Sequence, residues 1–176
     1  MKTLLLFTTL VSLHTSIIAQ KFQVLKDDMS DKEYMVIKDK EITYEGESRS
    51  KGVVWGMSCS KRGDVWIAKG LSLKVYGLSC LEDTEVIIMF EDGSKLVTSQ
   101  WNDFNCEENV WTDLNEVQLN QLKTLPIKKI RVTNKRNFQS YDFTTVSSSM
   151  RVYYNKLLNS LDEGNTKGFE TYVDEN

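Results

Sequence analysis

Histidine is almost missing from this chain: it occurs once in 176 residues, at position 14. A Ser-His-Asp triad and a Cys-His pair both need an imidazole as base. Catalytic zinc sites usually take at least one imidazole as ligand. If the segment carrying His14 is removed, all of these chemistries leave with it. Proline is as scarce, with Pro126 alone, while four Trp, seven Tyr and seven Phe are present. That balance excludes a proline-rich disordered chain and argues for a packed core. Basic residues are not in excess: 22 Lys and Arg face 25 Asp and Glu, for a net charge of −3. Nucleic-acid binders are usually strongly basic, so that class is set aside. No phosphate-binding glycine loop, dinucleotide fingerprint or Cys-x-x-Cys pair occurs, and no cofactor is expected.

Long apolar runs are also lacking. The longest, Leu4 to Ala19, is broken by Thr, Ser and His, and a membrane-spanning helix needs about 20 predominantly apolar residues. This run follows the positive start Met1-Lys2-Thr3 and ends at Ala19-Gln20, where the chain turns polar. That is the layout of a secretory signal peptide cut after Ala19. The expected organisation is therefore a leader over 1–19, one globular β-rich domain over 20–162, and a polar flexible tail over 163–176. Cleavage would discard His14 and leave 157 residues with a net charge near −4. It would leave no membrane span, and would place the protein in the periplasm or outside the cell.

Three cysteines, Cys59, Cys80 and Cys106, would then meet an oxidising compartment, where one disulfide and one spare thiol are expected. The run Thr84–Phe90, the turn signal Asp92-Gly93 and the run from Ser94 to Trp101 read as a β-hairpin. Pairing Glu91 with Ser94 sets Cys80 opposite Asn105, one residue from Cys106, and a bulge absorbs that offset. Cys80–Cys106 is the expected bridge, with Cys59–Cys80 as the rival.

Most of the remaining chain alternates with a period of two. Glu33–Lys38 and Glu41–Glu45 read as short strands separated by Lys-Asp-Lys. Val53 to Ser60 reads as a buried strand, with Gly56 at a bulge or close approach. Val65 to Gly70 is another strand, and Leu71, Leu73 and Val75 share one face of the next. Ile130 and Val132 face opposite to Lys129 and Arg131, and Tyr141 and Phe143 point inward. Two segments change to a helical period. The first carries Leu114, Val117, Leu122 and Leu125, with Asp113 and Glu116 in the pattern of a capping box and Pro126 as its stop. The second carries Met150, Tyr153, Tyr154, Leu157, Leu158 and Leu161 behind a serine N-cap at 147–149. The expected fold is mainly β (α+β): an antiparallel sandwich or partly open barrel with two helices, one after the central hairpin and one C-terminal.

Few polar clusters carry chemistry. Asp103, Asn105 and Glu107 have the 1-3-5 spacing of a calcium loop, but positions 6 and 12 hold Glu108 and Leu114 instead of Gly and Glu. With Trp111 beside them, these residues form a candidate ligand or cation loop, not an EF-hand, and no defined metal site is expected. Asp27, Asp28, Asp31 and Glu33 form a second acidic group. Lys128, Lys129, Arg131, Lys135 and Arg136 form a candidate anion patch, although a solvated strand face plus turn is the commoner explanation of such a run. Ser-x-x-Lys occurs at Ser48–Lys51 and Ser58–Lys61, without the partner motifs of a Ser-Lys enzyme. The tryptophans 55, 66, 101 and 111 offer an aromatic platform for a glycan or peptide, although core packing is their usual role.

The Ala19-Gln20 junction, the acidic Asp27–Glu33 segment and the Phe90–Ser94 turn resemble small exported β-rich proteins of Gram-negative, Bacteroidota-type bacteria. That resemblance implies no activity and no catalytic residues. The reading is an exported, non-catalytic binding or structural domain whose partner is another exported protein or a glycan. A hydrolase using carboxylates or a Ser/Lys pair, and a calcium-dependent adhesion module, are the alternatives.

Overall fold

In the computed structural model the described residues are 20–27, 29, 32–47, 49–77, 81–100, 104–105, 108–164 and 169–172. Side chains are described from Gln23 onward, except at Asp27, 104–105 and 169–172. The leader, and Cys80, Asp103, Cys106 and Glu107, lie outside this set.

Apolar residues spaced two apart decide the strands. β1 (Gln20–Asp27), β2 (Lys32–Tyr44), β3 (Gly52–Arg62), β4 (Val65–Tyr76), β9 (Asn109–Trp111) and β12 (Phe169–Tyr172) form a six-stranded sheet in the order β12-β1-β2-β3-β4-β9. A second sheet orders β11 (Gln139–Phe143), β10 (Ile127–Asn134), β6 (Thr84–Phe90) and β7 (Lys95–Ser99). A short pair joins β5 (Leu81–Glu82) to β8 (Phe104–Asn105). Every named ladder is antiparallel except β1 with β12, which is parallel. The larger sheet curls into a half-barrel, and the expected mainly β fold is the observed one. An isolated bridge from Gln100 to Thr112 joins the ends of β7 and β9, and so ties one sheet's edge to the other's. Phe169–Tyr172 pairs in parallel with Gln20–Gln23 of β1.

Several boundaries differ from the sequence expectation, each for a local reason. Lys-Asp-Lys at 38–40 does not separate two strands. β2 runs through it, and the register against β3 shifts between Lys38 and Ile42, so a bulge absorbs the polar residues. The same happens in β4, where the ladder to β3 slips between Ser58 and Cys59. At the Asp92-Gly93 turn the pairing is Met89 with Lys95, a register shifted by one residue from that set by Glu91 with Ser94 and closed by a longer loop. Phe90 closes the loop by donating its N–H to the Ser94 carbonyl at 3.0 Å, and Gly93 holds φ at +86°. That is a three-residue connection with glycine in the left-handed position, not a two-residue turn. Past Asp83, whose φ is +46°, the pairing resumes as Leu81 with Asn105.

Three helices complete the body. α1 (Glu116–Thr124) is capped by Asn115: its side chain accepts from the Gln118 N–H, and the Gln118 side chain accepts from the Asn115 N–H, both at 2.9 Å. The expected Asp113/Glu116 box is thus displaced by two residues. Val117 consequently points to solvent at 71% exposure, while Leu122 is buried and Leu119 packs on the core. The C-terminal helix divides at Val152 into α2 (Ser148–Arg151) and α3 (Tyr153–Asp162). All six residues expected on its apolar face are buried. Ser147 supplies the cap, accepting from the Met150 N–H at 3.4 Å.

The core lies between the sheets and under α3. Trp55 stacks on Tyr154 with centroids 6.0 Å apart, and Tyr153 meets Tyr154 edge-on at 4.8 Å. The Tyr154 hydroxyl donates to the Gly56 carbonyl at 2.9 Å. A Cβ at position 56 would meet the Ile37 and Ser72 carbonyl oxygens at 2.5 Å, so only glycine lets the three strands approach this closely. Among the described residues no helix is long and apolar enough to cross a membrane.

Candidate functional site

The β3–β4 hairpin projects beyond the sheet, turning at Gly63 and Asp64 with Arg62 opposite Val65. Its second strand carries Trp66 and Ala68, on the face that leads into the core, and the more exposed Val65 and Ile67. α1 lies beside α3, and the two are tied together from both ends. The Lys123 ammonium pairs with the Asp162 carboxylate. Asn155 donates to the Leu122 and Leu125 carbonyls at 2.6 and 3.3 Å, which satisfies the open C-terminal end of α1. At the other end of α1, the Gln118 side chain donates to the Val97 carbonyl at 3.0 Å.

A groove of about 440 Å3 remains between the hairpin and the two helices. Trp66, Ala68, Leu119, Leu158 and Leu161 form its apolar walls, and Glu116, Asn120, Lys123 and Asp162 its polar rim. Its volume lies within the range of small-molecule sites, and the mixture of apolar walls with a few polar groups is the usual composition of such sites. The rim carries both signs of charge, with its one lysine engaged by Asp162. Glu116 leaves the rim with one net negative charge. The Trp66 ring is steadied from outside by the Lys61 ammonium, 5.7 Å from its centroid, and Lys61 is in turn paired with Glu33 at 2.6 Å.

The sequence candidates fall elsewhere. In the proposed anion patch, Arg131 forms two hydrogen bonds with Asp142, and Lys129 approaches the same carboxylate at 3.7 Å. The Arg131 guanidinium holds the Asp142 carboxyl below the ordinary carboxylate range. Lys135 pairs with Glu85 at 2.9 Å, and Arg136 pairs with Glu82. Lys128 sits exposed at the bulge between Ile127 and Lys129. Four of these five cations therefore face a carboxylate of the same protein. Of the cation loop, Asp103 and Glu107 lie outside the described residues, Asn105 pairs with Leu81, and Glu108 takes φ of +61° before β9. No group of three His, Cys, Asp or Glu residues suited to a metal occurs among the described residues.

The Ser58–Lys61 pair sits within the single extended strand β3, where residues three apart point to opposite faces. Ser58 donates to the Gly70 carbonyl at 3.3 Å and Lys61 is bound to Glu33, so no serine–lysine dyad forms there. Lys51 pairs with Glu45 at 3.4 Å, and Ser48 lies outside the described residues. Cys59 is free and buried, and burial pushes its thiol up to about 12, which leaves it un-ionised near neutral pH and inert as a nucleophile. The rival bridge Cys59–Cys80 is thereby excluded. Cys80 and Cys106 both lie outside the described residues.

Sequence reading missed the groove. Trp66 was legible as an aromatic residue in a strand, but its neighbours come from two helices distant in sequence. Leu119 was hidden by placing the helix start two residues early. The Asn115-x-x-Gln118 pattern was the available signal. The described residues build a mainly β domain with a concave, mostly apolar groove. No family model, no curated protein and no solved structure is similar to the chain.

Proposed function

We propose that this protein is an exported, non-catalytic binding domain, and that the groove between the β3–β4 hairpin and α1/α3 receives a small, mostly apolar, uncharged ligand. The groove's lining carries this reading: apolar side chains form its walls, and on its rim Lys123 and Asp162 offset each other, leaving Glu116 as the single unbalanced charge. Desolvating such walls favours an apolar occupant by about 25 cal/mol per Å2 removed from water. Absence of an imidazole beyond His14 supports binding over catalysis. A neutral fluorescent probe, 1-aminoanthracene, should bind with a saturable one-site enhancement. Ala68→Phe, which fills the groove, should abolish that enhancement while leaving the melting temperature within a few degrees. An enhancement unaffected by the substitution in folded protein overturns the proposal.

Export after Ala19 belongs to the same reading, with β1 opening at Gln20. So does a Cys80–Cys106 bridge. Cys59 is unpaired, and Leu81 and Asn105, the described neighbours of the two cysteines in sequence, are paired. In the loop-entropy model such a bridge contributes roughly 3–4 kcal/mol. Intact mass of secreted protein should show loss of residues 1–19 and a gain of about 2 Da on reduction. A retained leader, or three free thiols, contradicts it.

A further inference from the structure

Among the described residues, the face of the curled sheet that points away from the core collects cations that no carboxylate pairs. Two rows of cross-strand neighbours build it: Lys38, Gly56, Ser72 and Trp111 in one, and Ile42, Val54, Lys74 and Asn109 in the next. Because Gly56 has no side chain, the Lys38 stem can lie across β3; a Cβ there would come within 2.9 Å of it. The ammonium thus reaches Asn109 on β9, donating to Oδ1 at 3.2 Å, and stands 5.9 Å from the Trp111 ring. Lys74 lies 5.1 Å from the Tyr76 ring, and Arg49 at the edge lies 5.7 Å from the Tyr44 ring. Among the described residues no carboxylate forms an ion pair with Lys38, Lys74 or Arg49.

That arrangement is costly as it stands. Lys38 is held partly out of water and near a second ammonium, and desolvation followed by the Lys74 charge pushes its pKa below the ordinary lysine value. Cation–ring contacts offset only part of such a cost. A second, independent observation lies beneath the lysines. The Ser72 hydroxyl, on the same face by strand alternation, is fully buried and has no hydrogen-bond partner. Buried polar atoms almost always have partners, and an exception points to a missing one. Cations without acids, an orphaned hydroxyl and an aromatic wall are jointly satisfied by one kind of group, an oxyanion. It would accept from both ammoniums and from the serine.

We propose that Lys38, Lys74, Asn109 and Ser72, walled by Trp111, form a binding site for an oxyanion group on the outer face of the sheet. The shared chemistry is a small, multi-oxygen anion, whether sulfate, phosphate or carboxylate. This site is separate from the groove, and neither proposal depends on the other.

The test is an NMR titration of the full exported protein with sodium sulfate, sodium phosphate and sodium acetate in separate arms, ionic strength being held constant with sodium chloride. At least one oxyanion should give saturable shifts of the Trp111 indole N–H, the Asn109 side-chain amide and the Ser72 backbone amide. The arm with the tightest binding names the group. Lys38→Met with Lys74→Met should weaken that binding at least tenfold, and Lys128→Met, on the other sheet, should leave it unchanged. Non-saturating shifts in all three arms overturn the proposal, as do shifts that persist in the folded double variant. Should the double variant fail to fold, Ser72→Ala is the second test. It removes only the hydroxyl and should weaken binding severalfold, whereas unchanged binding contradicts the site.

Discussion

The two faces of β3 are both sheltered, yet they are built in opposite ways. Toward the core, Val53, Trp55, Met57 and Cys59 meet aliphatic residues and the rings of α3, with fit decided by packing. Away from it, Val54 and Gly56 lie under Lys38, Lys74 and Trp111, and polar groups are held in place with incomplete partners. Each face holds a buried polar atom without a partner, the Trp55 Nε1 toward the core and the Ser72 hydroxyl away from it; what sets the second apart is a pair of lysines with no ion-paired carboxylate among the described residues. A residue's burial therefore does not reveal its role. The charges gathered beside it distinguish the side that holds the fold from the side available for a ligand.

The sharpest contrast is between the two indoles. Trp55→Ala should cost about 3–5 kcal/mol, because a fully buried ring is lost from a stacked cluster. Trp111→Ala removes a partly buried ring and should cost about 1 kcal/mol. Chemical denaturation of both variants measures this, and equal losses would erase the distinction between the faces. A smaller effect is expected from Tyr154→Phe, which strips the Gly56 carbonyl of its buried partner, at about 1–2 kcal/mol. A change near zero would mean that this hydrogen bond does not couple α3 to β3.

Lys38→Met should have the smallest effect, and its sign is informative. The folded pKa of Lys38 lies below its unfolded value, so the unfolded chain binds more protons between the two. Its contribution is unfavourable below the folded pKa, and stability is regained as pH rises toward about 10.4. Methionine should therefore leave stability at neutral pH unchanged or raised, and flatten the alkaline rise in melting temperature. A loss at neutral pH would show that the ammonium is already compensated.

Periodicity revealed the strands with solvent on one side, and the apolar face of α3. The alternation of Ile130 and Val132 with Lys129 and Arg131, and the spacing of Met150 to Leu161, both carried through to burial. It failed where a bulge keeps a polar run inside a strand, as at 38–40, since slippage leaves no residue-type signature. It misplaced α1 because Val117 and Leu122, five residues apart, do not share a helical face, and the true cap at Asn115 was passed over. Neither the groove nor the lysine face was legible. Each gathers residues far apart in sequence, and Lys38 and Lys74 look like ordinary solvated lysines until Gly56 and Ser72 are seen between them.

The most direct test of the binding account is to map 1-aminoanthracene on the protein by methyl and indole NMR. Shifts confined to Trp66, Ala68, Leu119, Leu158 and Leu161, saturating with a single dissociation constant, are the expected result. Shifts spread over the surface, or centred away from α1 and α3, would contradict it.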